Sequence, residues 1–244
     1  LHKRFDGFKA ITEISLNILE GERHAIIGPN GAGKTTFFNL ITGHLQPSAG
    51  EVRYKGEIIS GLAPHKIVKR GLARSFQRIN IYPRMTVFQN VQVALIAQHN
   101  QHLNFFIQAH NIHKGDTEDL LELVDLSGET QGIAGELAYG KQKQLELAIA
   151  LAANPQMLLL DEPTAGMSPS ETTESIRLIN SIAESRSLTL LFTEHDMSVV
   201  FSIADRISVL HHGQILASGA PDEVRNDSEV KKVYLGEGVD DASA

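Results

Sequence analysis

A run of nine residues, Gly28-Pro-Asn-Gly-Ala-Gly-Lys-Thr-Thr36, constrains the fold more than any other feature of the chain. It follows His24–Ile27, which reads as a strand, and leads into Thr35–Thr42, which reads as a helix ending near Gly43. A glycine-rich turn between a strand and a helix start gathers several backbone N–H groups on one concave surface, and the positive end of the helix adds to them. The pattern G-x-x-x-x-G-K-[ST], met by Gly28, Gly33, Lys34 and Thr35, therefore predicts a cradle for phosphate oxygens. Pro29, Asn30, Gly31, Ala32 and Thr36 complete the expected nucleotide-binding loop. Lys34 is expected to reach the β- and γ-phosphates, and Thr35 to ligate Mg2+. A chance glycine-rich turn is the alternative, and the flanking strand and helix count against it.

A second segment supports the first. Met157-Leu-Leu-Leu160 is a short apolar run of the kind expected for a strand buried on both faces. It ends in Asp161-Glu162-Pro163. An acidic residue at the end of such a strand lies beside the phosphate site of an open α/β sheet, so Asp161 is a candidate Mg2+ ligand. Glu162 is not needed for the metal and could orient and polarise an attacking water. The plainer reading of Glu162 is a solvated surface residue. Together the two motifs predict a P-loop ATPase or GTPase without deciding which.

The rest of the chain fits an α/β core interrupted by helices. Ile14–Ile18, Glu51–Tyr54, Ala73–Phe76 and Leu188–Phe192 read as strands, and Ile207–Leu210 with Gln214–Ala217 as a hairpin about His212-Gly213. Pro64–Lys69, Val87–Gln98, Thr117–Val124, Lys141–Ala153 and Glu171–Glu184 read as helices, with two short ones starting near Asp222 and Glu229. Composition excludes several function classes. Basic residues number 22 against 29 acidic, a net charge of −7, which argues against a broad nucleic-acid face. There is no Cys, so thiol catalysis and Cys-zinc sites are out. The most apolar stretch, Leu145–Ala153, contains Glu146 and falls far short of the roughly 20 residues of a membrane span. The chain opens at Leu1 without a signal-peptide pattern, which reads as a trimmed start, and the expected compartment is the cytoplasm.

Three further features decide between the nucleoside-triphosphatase classes. Leu137-Ala-Tyr-Gly-Lys-Gln142 precedes Asp161 at a helix start, Gln77 follows a strand between the two motifs, and His195 follows the strand Leu188–Phe192. With Phe5 upstream, this order resembles the ATP-binding subunit of ABC transporters over nearly the whole chain. The resemblance implies an α/β fold with a RecA-like P-loop core at about 1–78 and 155–220 of a single 1–244 domain, a helical subdomain at about 86–153, a helical tail at about 221–237 and an N-terminal antiparallel β region.

It also implies roles. Phe5 stacks on adenine, with Phe8 as competitor. Gln77 contacts Mg2+ and the water region. Leu137, Ala138, Tyr139, Gly140 and Lys141 form the signature that binds the γ-phosphate held by an opposite subunit. Ala165–Ser168 is the D-loop, and His195 donates to the γ-phosphate. The catalytic set is then Glu162, His195 and Gln77, and the metal set Thr35, Gln77 and Asp161. The chain departs from the family pattern at Ala138, where Ser is usual, at Lys141, where Gln or Glu is usual, and at Ser168, where Asp is common. Lys141 either adds positive charge to the signature or is a solvated helix-start lysine.

The branch it resembles most is the importer subunit for branched-chain amino acids and related amide or urea solutes. Leu137-Ala-Tyr-Gly140, Thr164-Ala-Gly-Met-Ser-Pro169 and the ending Glu223-Val-Arg-Asn-Asp227 with Val233-Tyr-Leu-Gly-Glu237 carry that likeness. The expected ligands are ATP and Mg2+. The expected partners are a second ATP-binding subunit, transmembrane permease subunits met near Arg78–Arg84 and, indirectly, a periplasmic solute-binding protein, with no nucleic acid. The expected place is the cytoplasmic face of the inner membrane. Lipopolysaccharide export and a soluble ABC ATPase are the alternatives.

Overall fold

The computed structural model describes residues 1–75, 80–99 and 112–236. The chain opens with β1 (Lys3–Phe5) and β2 (Phe8–Ile11), then β3 (Arg23–Ile27), α1 (Lys34–Ile41), β4 (Arg53–Tyr54), β5 (Glu57–Ile58) and α2 (Pro64–Val68). It continues with β6 (Leu72–Arg74), α3 (Val87–Gln98), α4 (Lys114–Leu123), α5 (Tyr139–Leu151), β7 (Met157–Asp161) and α6 (Pro169–Ser185). It closes with β8 (Thr189–Thr193), α7 (Met197–Ile203), β9 (Arg206–His211), β10 (Gln214–Gly219), α8 (Pro221–Asn226) and α9 (Ser228–Gly236). These residues divide into two compact units, Leu1–Ile67 with Thr189–Ala244, and Val68–Leu188.

In the first unit β3 pairs in parallel with β8 on one side and β9 on the other, and β10 pairs antiparallel with β9. Ala25, Ile26 and Ile27 of β3 and Leu190, Leu191 and Phe192 of β8 are buried, as parallel strands covered on both faces must be. α1 packs Phe37, Phe38, Leu40 and Ile41 into this core. The expected antiparallel start is present as the hairpin β1–β2, with Phe5 opposite Phe8 across an Asp6-Gly7 turn. Both turn residues have positive φ, which matches the strand twist.

One predicted strand is absent. Ile14–Ile18 has the alternating burial of a strand, yet it runs as irregular backbone. Its hydrogen bonds explain why. Ile14 N–H donates to Leu1 O at 3.0 Å and not to a neighbouring strand, and no ladder forms along 14–18.

In the second unit β6 and β7 pair in parallel, with Arg74 opposite Leu159. All five residues of β7 are buried. α3, α4 and α5 pack on one another around Val91, Leu95, Leu121 and Leu145. α3 begins on a capping box, in which Thr86 Oγ1 accepts the Gln89 N–H at 3.1 Å and Gln89 Oε1 accepts the Thr86 N–H at 2.9 Å. α5 starts at Tyr139, ahead of the predicted Lys141.

Candidate nucleotide site

Within the first unit, the loop 28–36 leaves the C-terminal end of β3. Ile26 of β3 stands opposite Thr193 of β8, and Ile27 opposite Val209 of β9, so both neighbouring strands end beside the loop. Gly28 shows why a glycine is required. A Cβ there would lie 2.0 Å from Leu210 O of β9. At Gly33, with φ 108, it would meet Ala10 O and the Ile11 side chain, both at 2.9 Å. The loop is thus pressed between β2 and the β9–β10 turn, and Gly213 N–H donates to Ala32 O at 3.0 Å.

Gly33 is the N-cap of α1, and no side chain caps that end. The first-turn N–H groups face a position suited to an anion. Lys34 is buried, and its Nζ donates to Gly28 O at 2.5 Å and Pro29 O at 3.1 Å. The ammonium is held over the loop carbonyls from which a phosphate oxygen could recruit it. Thr35 is exposed and Thr36 half-buried.

The segment after β8 carries Glu194, buried, and His195, exposed. His195 N–H donates to Glu194 Oε2 at 3.2 Å. Asp196 caps α7 and accepts the Ser198 N–H and O–H, which holds its carboxyl below the usual range. Phe5 is 41% exposed and Phe8 68%, so both rings of the hairpin offer an aromatic face. Lys3 Nζ sits 4.9 Å from the Phe5 ring centre.

The second unit holds the acidic end of β7. Asp161 is buried, and its Oδ2 accepts from Arg74 Nη2 at 2.7 Å, both side chains being 6% exposed. Arg74 is the residue that sequence reasoning missed. Glu162 follows, half-buried, with a left-handed backbone at φ 51 that it shares with seven other non-glycine residues among those described.

The signature turn begins α5. Ala138 is the N-cap and contributes no side-chain hydrogen bond, whereas the usual Ser would. Gln142 N–H donates to Ala138 O at 3.0 Å, and Gln142 Nε2 to Leu137 O at 2.8 Å. Lys141 forms an ion pair with Glu129 while its side chain stays 44% exposed. Tyr139 is exposed and its ring lies against Gly166, where a Cβ would stand 3.3 Å from Cε1. Ser168, the third departure, is the N-cap of α6 and shares a capping box with Glu171. Ser and Asp are both strong N-caps, so the replacement keeps that function.

Gln77, with Arg78, lies outside the described residues. Of the rest of the expected partner segment, Asn80–Arg84 is described. Asn90 anchors it, accepting the Tyr82 N–H at 2.7 Å and donating to Tyr82 O at 3.1 Å. Among the described residues no group of three or more His, Asp or Glu side chains could hold a metal ion by itself.

Comparison with known proteins agrees with this geometry. The family described as ABC transporter matches residues 11–165, and the one described as branched-chain amino acid ATP-binding cassette transporter matches residues 214–240. The high-affinity branched-chain amino acid transport ATP-binding protein BraF of Pseudomonas aeruginosa is 40% identical over 248 residues, covering 97% of this chain and 96% of that protein. A crystal structure of the ADP conformation of an ATP-binding cassette of an ABC transporter shares 32% identity at a TM-score of 0.85, covering 96% of both chains. A dimeric bacterial ABC transporter cassette shares 25% identity at a TM-score of 0.75, covering 90% of this chain and 95% of that one. The chain belongs to the ABC transporter family, in the branch of the branched-chain amino acid ATP-binding cassettes.

Proposed function

We propose that the chain binds and hydrolyses ATP as the energy-supplying subunit of a membrane importer for branched-chain or other amino acids. The loop 28–36 carries this reading. Gly28 and Gly33 are required by close backbone approach, the lysine is buried over its own loop carbonyls, and the helix start lacks a side-chain cap. Lys34 and the loop N–H groups bind the β- and γ-phosphates. Phe5 stacks on the adenine, and Phe8 is the neighbouring alternative.

Thr35, Asp161 and Gln77 supply oxygen donors of the hard kind that suit Mg2+. The metal neutralises phosphate charge when bound. Asp161 fits this role as a buried carboxylate at the end of β7, its charge balanced by the Arg74 guanidinium. Glu162 orients and polarises the attacking water, and His195 donates to the γ-phosphate. Leu137–Lys141 act on the nucleotide of a second subunit, so two chains complete two sites. The match of residues 214–240 to the branched-chain family favours amino-acid import over lipopolysaccharide export. Permease subunits hold the chain peripherally at the cytoplasmic face of the membrane, and a periplasmic protein delivers the solute to them. No helix among the described residues is long and apolar enough to cross a membrane.

The test is Glu162→Gln. Turnover of Mg·ATP is expected to fall about 100-fold or more, the usual yield of a positioned base, while nucleotide affinity holds. Undiminished turnover would remove Glu162 from its role. Purification of this variant with Mg·ATP from solubilised membranes should bring multi-spanning subunits with it, and recovery with only soluble partners would overturn the importer reading.

A further inference from the structure

The carboxylate of Glu171, on the first turn of α6, touches both the D-loop and the signature turn. Glu171 Oε2 accepts the Ser168 N–H at 2.8 Å and the Ser168 O–H at 2.7 Å. The other oxygen, Oε1, lies against the start of α5: a Cβ on Gly140 would stand 2.9 Å from it. One oxygen thus caps α6 and the other fills the space beside Gly140. A second contact joins the same segments, with the Tyr139 ring against Gly166.

The start of α5 is where this chain lacks the usual hydroxyl, since Ala138 caps nothing. An uncapped helix start attracts an anion, and here Glu171 provides it from within the chain. The hydrogen bonds from Ser168 hold the Glu171 carboxyl below the usual range, so it is charged at neutral pH. A carboxylate lying against this turn and a phosphate bound on it crowd one another, and their like charges repel.

We propose that Glu171 is a positioning residue of the two-chain site: its Oε1 occupies the signature turn of the separated subunit, and the γ-phosphate held by a second copy displaces it when the two close. Glu171 then sets the ATP concentration at which closure occurs. Oε2 stays on Ser168 throughout, so α6 keeps its cap. The inference rests on the reading of Leu137–Lys141 as a phosphate-binding signature.

Glu171→Gln separates charge from capping, because Gln serves equally in a capping box. The experiment is sedimentation velocity of the Glu162→Gln chain across an Mg·ATP titration, with and without the second change, alongside melting temperature and binding of a fluorescent ATP analogue. With Glu171→Gln the dimer midpoint is expected at about ten-fold lower ATP, the effect of removing one charge–charge repulsion at a partly exposed site. Melting temperature and monomer nucleotide affinity should stay near the parent's. An unchanged or higher midpoint overturns the proposal. Glu171→Ala loses the cap as well, so its melting temperature falls while its midpoint still drops; a raised midpoint there would mean a scaffold and overturn the displacement. A parent chain that binds the analogue but never dimerises removes the two-chain reading itself, and the proposal with it.

Discussion

Asp161 is a charge in a nearly dry place, and Arg74 is what makes that tolerable. Removing one member of a buried pair leaves the other uncompensated, so Arg74→Ala is expected to cost about 3–5 kcal/mol. Denaturant midpoints measure this, and Arg74→Lys, which keeps the charge but loses the planar fork, should cost less. Arg74 was not legible beforehand. Its partner lies 87 positions away along the chain, and only the parallel register of β6 on β7, with Arg74 beside Leu159, brings it within reach of Asp161. Gly28 is the opposite case, readable from its motif. Gly28→Ala places a methyl on Leu210 O, and loss of nucleotide binding is expected, read by fluorescent-nucleotide titration. Glu162 was nameable from its neighbours, but its left-handed backbone belongs to the structure alone.

At the level of elements, hydrogen-bond partners decided more than propensity did. The helix Val87–Gln98 was predicted to the residue because Thr86 and Gln89 form a local capping box. Ser168 does the same for α6, and Ser168→Ala should lower stability by about 1 kcal/mol, measurable by thermal unfolding. Ile14–Ile18 failed as a strand because alternation reports burial and not the presence of a neighbouring ladder.

β3 holds a buried polar element that pattern reading passes over. His24 is fully buried, with Nδ1 2.7 Å from Glu22 Oε1 and Nε2 2.8 Å from Ser208 Oγ. Burial is the largest influence on it and lowers its pKa from 6.5, against the opposing pull of Glu22. Below pH 6.5 the unfolded chain therefore binds a proton that the folded chain resists. Stability should fall as pH drops through 6.5 toward the lowered folded value, and be fully present above 6.5. Melting temperatures between pH 7.5 and 5.5 test this, and a His24→Gln chain should show a shallower slope.

For the whole molecule, function follows from binding energy shared between folding and ligand. A nucleotide at about 100 times its dissociation constant stabilises the folded chain by about 2.7 kcal/mol. For a chain of this size that raises the melting temperature by about 5–10 °C. Lys34→Ala should erase most of that shift, and a full shift in this variant would show that the loop is not the phosphate site. What the sequence by itself determined is the candidate chemistry: which residues are proposed to cradle phosphate, which carboxylates follow β7, and the family these imply. Short motifs can do this because their backbone geometry is local, set by glycines, caps and residue order within a few positions. The tertiary structure alone decided which distant groups answer those residues. Leu210 O against Gly28, Arg74 on Asp161, and Glu171 at the start of α5 each depend on strand register or on helix packing. Such contacts join positions far apart in the chain, and no local pattern encodes them.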